Sequence, residues 1–394
     1  MSENKRLKIA ILVRRFISTG GAERYAVEVT RRLALQHEVH VFAQKWSYQE
    51  ESPISFHRIP GWPAKPSWLN QILFSSFSLN AVRDGFDIIH SHEKVTDFDV
   101  MTVHSPCFRS YFSREKRLLK RVLKWTSVPF SPQKIAWLWL EKKQFMFNRN
   151  KMFVAVSENV KADVQANYPI PDERFRIAYP GVDVRMKPVN GTGADRKRLR
   201  LEHALAQDDL VVLFVGTEFK RKGLDALLRA MSLVPLPKLR LLVAGGGGGK
   251  MREYRNLAGE LGLGERVAFL GLVEKVEELY ALSDICVLPT LSDPYGMVPI
   301  EAMVCGVPVA LSSSEYCGAA EQVRNHEALI IENPKSPEEI AQALRKLMDD
   351  DFRAELGRKG RSLAEQLTWE KTTASTLSAY AEALRRKQSN AEMG

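Results

Sequence analysis

Two acids stand eight positions apart in the segment LSDPYGMVPIEAMVCGVPVALS, residues 291 to 312: Asp293 and Glu301. The run before them, DICVLP (284 to 289), reads as a short buried strand. Pro299 reads as the opening residue of a helix, with Glu301 in its first turn. Asp293 then falls in a strand-to-helix loop. Open α/β sheets hold their ligands there, because the carboxyl ends of strands and the amino ends of helices converge.

Three more groups have the composition of a site. Gly216-Thr-Glu-Phe-Lys-Arg-Lys-Gly223 follows an apolar run and precedes a helical one, and its cations Lys220, Arg221 and Lys222 suit a diphosphate. A solvated charge run is the plain alternative. Gly20 and Gly21 lie between the first strand and the first helix, where paired glycines let backbone amides approach an anion, or simply make a tight turn. His104, in TVHSP, ends a strand at the sheet's carboxyl edge, with His90 and His92 on an adjacent strand end.

Other matches carry less. Gly245 to Lys250 lacks the Ser or Thr that a phosphate loop needs after its lysine, since Met251 follows. It reads as a glycine turn that gives a nucleotide room. Asp97-Phe-Asp99 imitates the DxD of metal-dependent sugar transfer, a pattern common by chance. His90, His92 and His104 supply no carboxylate or fourth ligand for a metal.

The elements that must position these residues form two alternating sets. KIAILV (8 to 13), EVHVFA (38 to 43), ISFHRI (54 to 59), FDIIHS (86 to 91), DVMTVH (99 to 104), KMFVAV (151 to 156) and RFRIAY (174 to 179) are strand-like. Between the first two, Ala22, Tyr25, Ala26, Val29 and Leu33 form a helical apolar face. Pro180-Gly-Val-Asp183 ends this set, and the polar, glycine-containing run that follows, through Asp195, reads as a linker. The second set is LVVLFVG (210 to 216), LRLLVAG (239 to 245), RVAFLG (266 to 271), DICVLP (284 to 289), VPVALS (307 to 312) and ALIIE (328 to 332). Alternation of this kind predicts two doubly wound parallel sheets of Rossmann-like type, over 1–185 and 196–368, facing a ligand cleft. The amphipathic stretch from Trp369 onward is expected to pack back on the first domain.

Bulk properties agree with this division. A chain of 394 residues exceeds the roughly 300 at which one core stops growing. No apolar run approaches the roughly 18 residues of a membrane span, and MSENKRLKIAILVRR reads as a first strand rather than a signal peptide. Four cysteines without metal-ligand spacing suit reduced thiols in a cytoplasmic protein. The net charge of +10 is concentrated: residues 107 to 149 hold eleven Lys and Arg against Glu115 and Glu141.

Taken in order, these motifs resemble the retaining glycosyltransferases of family 4, in the two-domain GT-B fold. The resemblance rests on STGGAER, His104 in TVHSP, Pro180-Gly-Val-Asp183, Lys222-Gly223, Asp293-Pro-Tyr-Gly-Met-Val-Pro-Ile-Glu301 with Gly306-Val-Pro-Val309, and Cys317-Gly-Ala-Ala-Glu321. It implies a nucleotide-diphosphate sugar donor, most simply UDP-linked, and no metal or other cofactor. By resemblance, Asp293 reaches the donor sugar, Glu301 holds the ribose, and the amides of Gly296, Met297 and Val298 face the phosphates. Lys222 and Arg221 neutralise the leaving diphosphate, Gly20 and Gly21 border the donor, and His104 contacts the sugar from the opposite domain. The chain departs from the family in having Asp293 for the usual Glu, and Thr217 where Arg is frequent. Some lipopolysaccharide core glucosyltransferases look similar here.

The basic stretch adds Phe108, Tyr111, Phe112, Trp125, Phe130, Trp137, Trp139, Phe145 and Phe147. Cations for anionic head groups and aromatics for the interface suit a membrane surface that is bound but not crossed. Nucleic acid would accept the same patch, as would water around a plain helical subdomain. The transferase reading favours a peripheral position on the inner face of the cytoplasmic membrane, a glycolipid or saccharide acceptor, and no nucleic acid. A GT-B sugar-nucleotide epimerase and a non-catalytic nucleic-acid binder are the competing classes.

Overall fold

The computed structural model describes residues 6–47, 53–61, 66–83, 85–113, 117–145, 151–186, 193–247 and 249–393. Parts of the basic stretch (114–116 and 146–149, with Phe147), residues 187–192 of the linker and Gly248 lie outside the described residues. The chain divides into two compact units, Met1–Pro180 with Trp369–Gly394, and Gly181–Thr368.

Among the described residues the first unit carries a seven-stranded parallel sheet. Its strands are β1 (Lys8–Leu12), β2 (Glu38–Ala43), β3 (Ile54–Arg58), β4 (Ile88–Ser91), β5 (Val100–Val103), β6 (Met152–Ala155) and β7 (Phe175–Ile177). They lie in the order β3-β2-β1-β4-β5-β6-β7. The central strands are covered on both faces, so they read as continuous apolar runs rather than alternating ones. Strand β5 closes at Val103, and His104 is the first residue beyond it.

Helix α1 (Gly21–Leu33) follows β1 and carries Glu23 in its first turn and Arg31 and Arg32 in its last, each matched to the helix dipole. Tyr25, Ala26, Val29 and Leu33 are buried, whereas Ala22 is exposed at the first turn. Helices α2 (Leu118–Thr126), α3 (Pro132–Phe145) and α4 (Glu158–Asn167) follow β5 and β6. The last helix, Trp369–Met393, lies against α1, β6 and β7, with Trp369 and Tyr380 fully buried.

The second unit has a six-stranded parallel sheet of β8 (Leu210–Val215), β9 (Leu239–Ala244), β10 (Val267–Gly271), β11 (Ile285–Leu288), β12 (Val309–Ser312) and β13 (Leu329–Ile331). The order is β10-β9-β8-β11-β12-β13, so the strand order reverses between the parallel neighbours β8 and β11. Such a switch point leaves a crevice at the carboxyl ends of the two strands. Helix α5 (Leu224–Ser232) leaves β8, α6 (Val276–Leu282) precedes β11, and α7 (Met297–Val304) follows it. Helix α7 begins two residues before Pro299, so Glu301 is its fifth residue and not part of the first turn. Pro299 costs nothing there, because the first N–H groups of a helix lack partners in any case.

Candidate functional site

The second unit brings Lys222 and Asp293 together at the β8/β11 switch point. Lys222 follows β8 and Asp293 follows β11, and Lys222 Nζ makes a direct ion pair with Asp293 Oδ2. Both side chains are nearly enclosed, at 12% and 9% exposure, so solvent screens the pair little.

Backbone geometry holds each partner. Gly223 caps α5 with a φ of +80°, and a Cβ there would lie 1.9 Å from the Pro289 carbonyl oxygen, so the loop after β8 sits directly on the end of β11. Arg221 reinforces this contact. Its carbonyl accepts from Leu291 N at 2.8 Å and Thr290 Oγ1 at 3.1 Å, and its guanidinium donates to Ser292 O at 2.6 Å while pairing with Glu218. The guanidinium assigned by sequence to the diphosphate is here engaged in latching two loops.

The Asp293 loop is laid on residues 316–319 through Asp293 N to Tyr316 O (2.7 Å), Gly318 N to Asp293 O (3.2 Å) and Ala319 N to Tyr295 O (2.7 Å). Gly296 caps α7 with a φ of +89°, and a Cβ there would meet Cys317 Sγ at 2.9 Å and Asp293 Oδ2 at 3.2 Å. The amides of Met297 and Val298 open α7, a helix end that favours anions. Glu301 is buried, and Tyr280 of α6 donates to its Oε2 at 3.0 Å. Burial beside this carboxylate pushes the Cys286 and Cys305 thiols up to about 12 and raises the Tyr280 hydroxyl well above its usual range. A fixed cation, a helix amino end and two carboxylates on one sheet edge can bind a diphosphate and the hydroxyls around it.

Gly20, Gly21 and His104 belong to the first unit. Gly20 caps α1, and the Glu23 carboxylate is folded against it, with Arg15 at 3.9 Å. His104 Nε2 shares a hydrogen bond of 3.0 Å with His92 Nδ1, its ring stacks on His92 (5.3 Å), and Tyr25 meets it edge-on (5.0 Å). Burial lowers His90 and His104 to about 3 and His92 well below its ordinary value, so all three are neutral near pH 7. His90 bonds Tyr380 Oη at 2.7 Å and Thr102 Oγ1 at 2.8 Å, which makes it a core contact. Asp99 is likewise structural, accepting from Ile89 N and pairing with Lys387.

The basic stretch is anchored by two buried carboxylates that sequence reading missed. Glu141 of α3 accepts from Arg109 N (3.0 Å) and Tyr168 Oη (3.0 Å), with Phe108 N also bound; Asp163 of α4 accepts from Cys107 N and Ser110 Oγ, both at 2.6 Å. Beyond this anchor, α2 has no buried residue. Leu119 and Leu123 are 73% and 59% exposed, Phe130 is 87% exposed, and Arg117, Lys120, Arg121 and Lys124 occupy the other helical face.

Comparison with known proteins bears on the whole arrangement. Residues 19–185 match the model of Glycosyltransferase Family 4, and residues 195–363 match that of Glycosyl transferases group 1. The chain belongs to this glycosyltransferase family. It is 24% identical over 344 residues to the lipopolysaccharide glucosyltransferase WaaG of Escherichia coli K12, covering 86% of this chain and 89% of WaaG. A D-inositol 3-phosphate glycosyltransferase of Corynebacterium efficiens is 30% identical over 253 residues, 61% of this chain and 58% of that protein. The chain thus spans under two thirds of that relative's length. The crystal structure of WaaG superposes with a TM-score of 0.80 at 22% identity, over 94% of this chain and 99% of that one. Anabaena HepE, solved with UDP-glucose, gives 0.70 at 19% identity over 95% and 100%. The glycosyltransferase has the GT-B architecture of these structures: two parallel-sheet α/β domains.

Proposed function

We propose that this glycosyltransferase moves a hexose, with retention of anomeric configuration, from a UDP-linked sugar to a membrane-associated glycolipid or saccharide. The Lys222–Asp293 pair at the switch point carries the reading, because it offers a cation for a diphosphate and a carboxylate for sugar hydroxyls within one contact. In this reading the diphosphate takes Lys222 and the amides of Gly296, Met297 and Val298, Glu301 takes the ribose, and Asp293 takes the sugar. Arg221 adds positive charge once its contact with Glu218 loosens. Charge growing on the leaving diphosphate is met by fixed protein groups, so the reaction needs no metal. Gly20 and Gly21 border the donor from the first domain, and His104 contributes a neutral imidazole to the transferred sugar.

The acceptor class is supported by α2, whose exposed leucines and flanking cations suit an anionic bilayer rather than nucleic acid. No helix among the described residues is long and apolar enough to cross a membrane. Attachment is therefore proposed to be peripheral, on the cytoplasmic side where a nucleotide sugar meets a lipid acceptor. The test is incubation of the full chain with UDP-glucose, UDP-galactose, GDP-mannose or ADP-glucose and a membrane lipid extract, with a chelator present. Transfer of one hexose to the lipid fraction with retained anomeric configuration supports the reading. Epimerised donor with no glycosylated lipid would overturn it.

A further inference from the structure

Tyr295 lies two residues after Asp293 and is only 4% exposed, although its side chain ends in a hydroxyl. That hydroxyl donates to Gln322 Oε1 at 2.7 Å, across 27 positions of sequence. Gln322 is the last residue of a short 3₁₀ helix, Gly318–Gln322, which follows β12 and buries Gly318, Ala319 and Ala320. A side-chain clasp therefore joins the loop after β11 to the segment after β12.

The clasp adds what the backbone contacts of this junction do not supply. Asp293 and Cys317 form one isolated bridge rather than part of a ladder, so the main chain fixes the path of the loop but not the direction of its side chains. Pro294 stands between Asp293 and Tyr295, and its ring locks φ near about −65°, so a displacement of Tyr295 is passed on to Asp293 rather than absorbed. On the other side, Cys317 Sγ donates to Tyr295 O at 3.2 Å and would lie 2.9 Å from a Cβ on Gly296, which leaves the loop little slack. Tyr295 is thus fixed at its carbonyl by Cys317 and at its hydroxyl by Gln322. Asp293, one proline away, holds Lys222.

We infer that Tyr295 and Gln322 are positioning residues, whose bond sets where the Asp293 carboxylate stands and thereby how sharply a donor hexose is told from the bare nucleotide. The inference rests on the donor reading of Asp293 given above. An ion pair with Lys222 tolerates a small displacement of the carboxylate, because charge attraction falls slowly with distance. Hydrogen bonds to sugar hydroxyls do not, since they weaken steeply with angle. The clasp therefore acts on sugar recognition more than on diphosphate affinity.

The experiment compares the full chain as wild type, Tyr295→Phe, Gln322→Leu, Gln322→Glu and the double variant Tyr295→Phe with Gln322→Leu. Calorimetry measures UDP, UDP-glucose and UDP-galactose, and hydrogen exchange without ligand follows the Asp293, Gly318 and Ala319 amides. The preference for the better-bound UDP-hexose over UDP should fall about fivefold in Tyr295→Phe and in Gln322→Leu, as loss of one buried hydrogen bond implies, with UDP affinity within about twofold of wild type and the three amides exchanging faster. Gln322→Glu, which still accepts from Tyr295, should keep the wild-type preference. The double variant should lose no more than either single change, because both remove the same bond. Unchanged exchange in Tyr295→Phe, additive losses in the double variant, or a parallel fall in UDP affinity overturns the inference. Amides that respond as expected in a protein that binds UDP and both UDP-hexoses equally would keep the clasp and remove the sugar role of Asp293.

Discussion

Lys222 Nζ and Asp293 Oδ2 are in direct contact across the switch point of the second sheet. In the proposed donor site the charge of Lys222 is thus compensated until a diphosphate arrives, and binding would exchange one ion pair for two interactions, Lys222 with phosphate and Asp293 with hydroxyls. The pair keeps a shielded cation compensated, and removing one partner leaves the other exposed to the full cost of its charge.

Asp293→Asn separates these roles. The amide cannot compete with phosphate for Lys222, so UDP should bind as tightly as in wild type or more tightly. UDP-hexose should lose its advantage over UDP, and transfer should fall by about a hundredfold or more. Calorimetry of UDP and UDP-glucose on the variant, with initial rates, checks both halves.

Tyr280→Phe tests how Glu301 is held. The substitution keeps the ring and removes the donor 3.0 Å from Glu301 Oε2, leaving a buried carboxylate less well satisfied. A loss of about 1 kcal/mol, close to fivefold in UDP affinity, is expected. The discriminating readout is the preference for UDP over 2′,3′-dideoxy-UDP, which should shrink in the variant. An unchanged preference would make Tyr280 a packing residue alone.

How much of this could be read from sequence depends on the range of the contact. Both sheets were legible because their central strands are enclosed on two faces, as KIAIL and VMTV show. The start of α7 was misplaced because Pro299 looked like a first residue, whereas Gly296 with its positive φ sets the cap. Tyr280 gave no signal, since its contact with Glu301 spans 21 residues and depends on how α6 packs against α7. Glu141 looked like one of two acids in a basic run. Only the fold shows that it is buried and accepts two backbone amides of the same run.

The histidine cluster predicts an acid limit. His90 and His104 are held down to about 3 by burial, and His92 is also lowered. In the unfolded chain each titrates near 6.5. Above that pH neither state is charged, so nothing is lost; as pH falls from 6.5 toward 3, the unfolded chain takes up protons that the native unit refuses. Stability should therefore drop by up to about 1.4 kcal/mol per pH unit for each histidine. Thermal melts from pH 7 to 4 should show a slope that lessens in His90→Gln relative to wild type.

The exposed face of α2 predicts salt-sensitive lipid binding. Leu119→Asp with Leu123→Asp should abolish co-sedimentation with phosphatidylglycerol vesicles, because both side chains project from a helix that buries nothing. UDP binding should not change. Equal vesicle binding by the double variant would remove α2 as the docking element.

The most direct test of the donor site is calorimetric titration of UDP-glucose, with GDP- and ADP-glucose as controls, into wild type and Lys222→Ala. The account predicts that one nucleotide sugar binds wild type and that its affinity falls about tenfold or more in the variant, as loss of a charge-assisted phosphate contact requires. Failure of all three to bind wild type, or equal binding by Lys222→Ala, would contradict it.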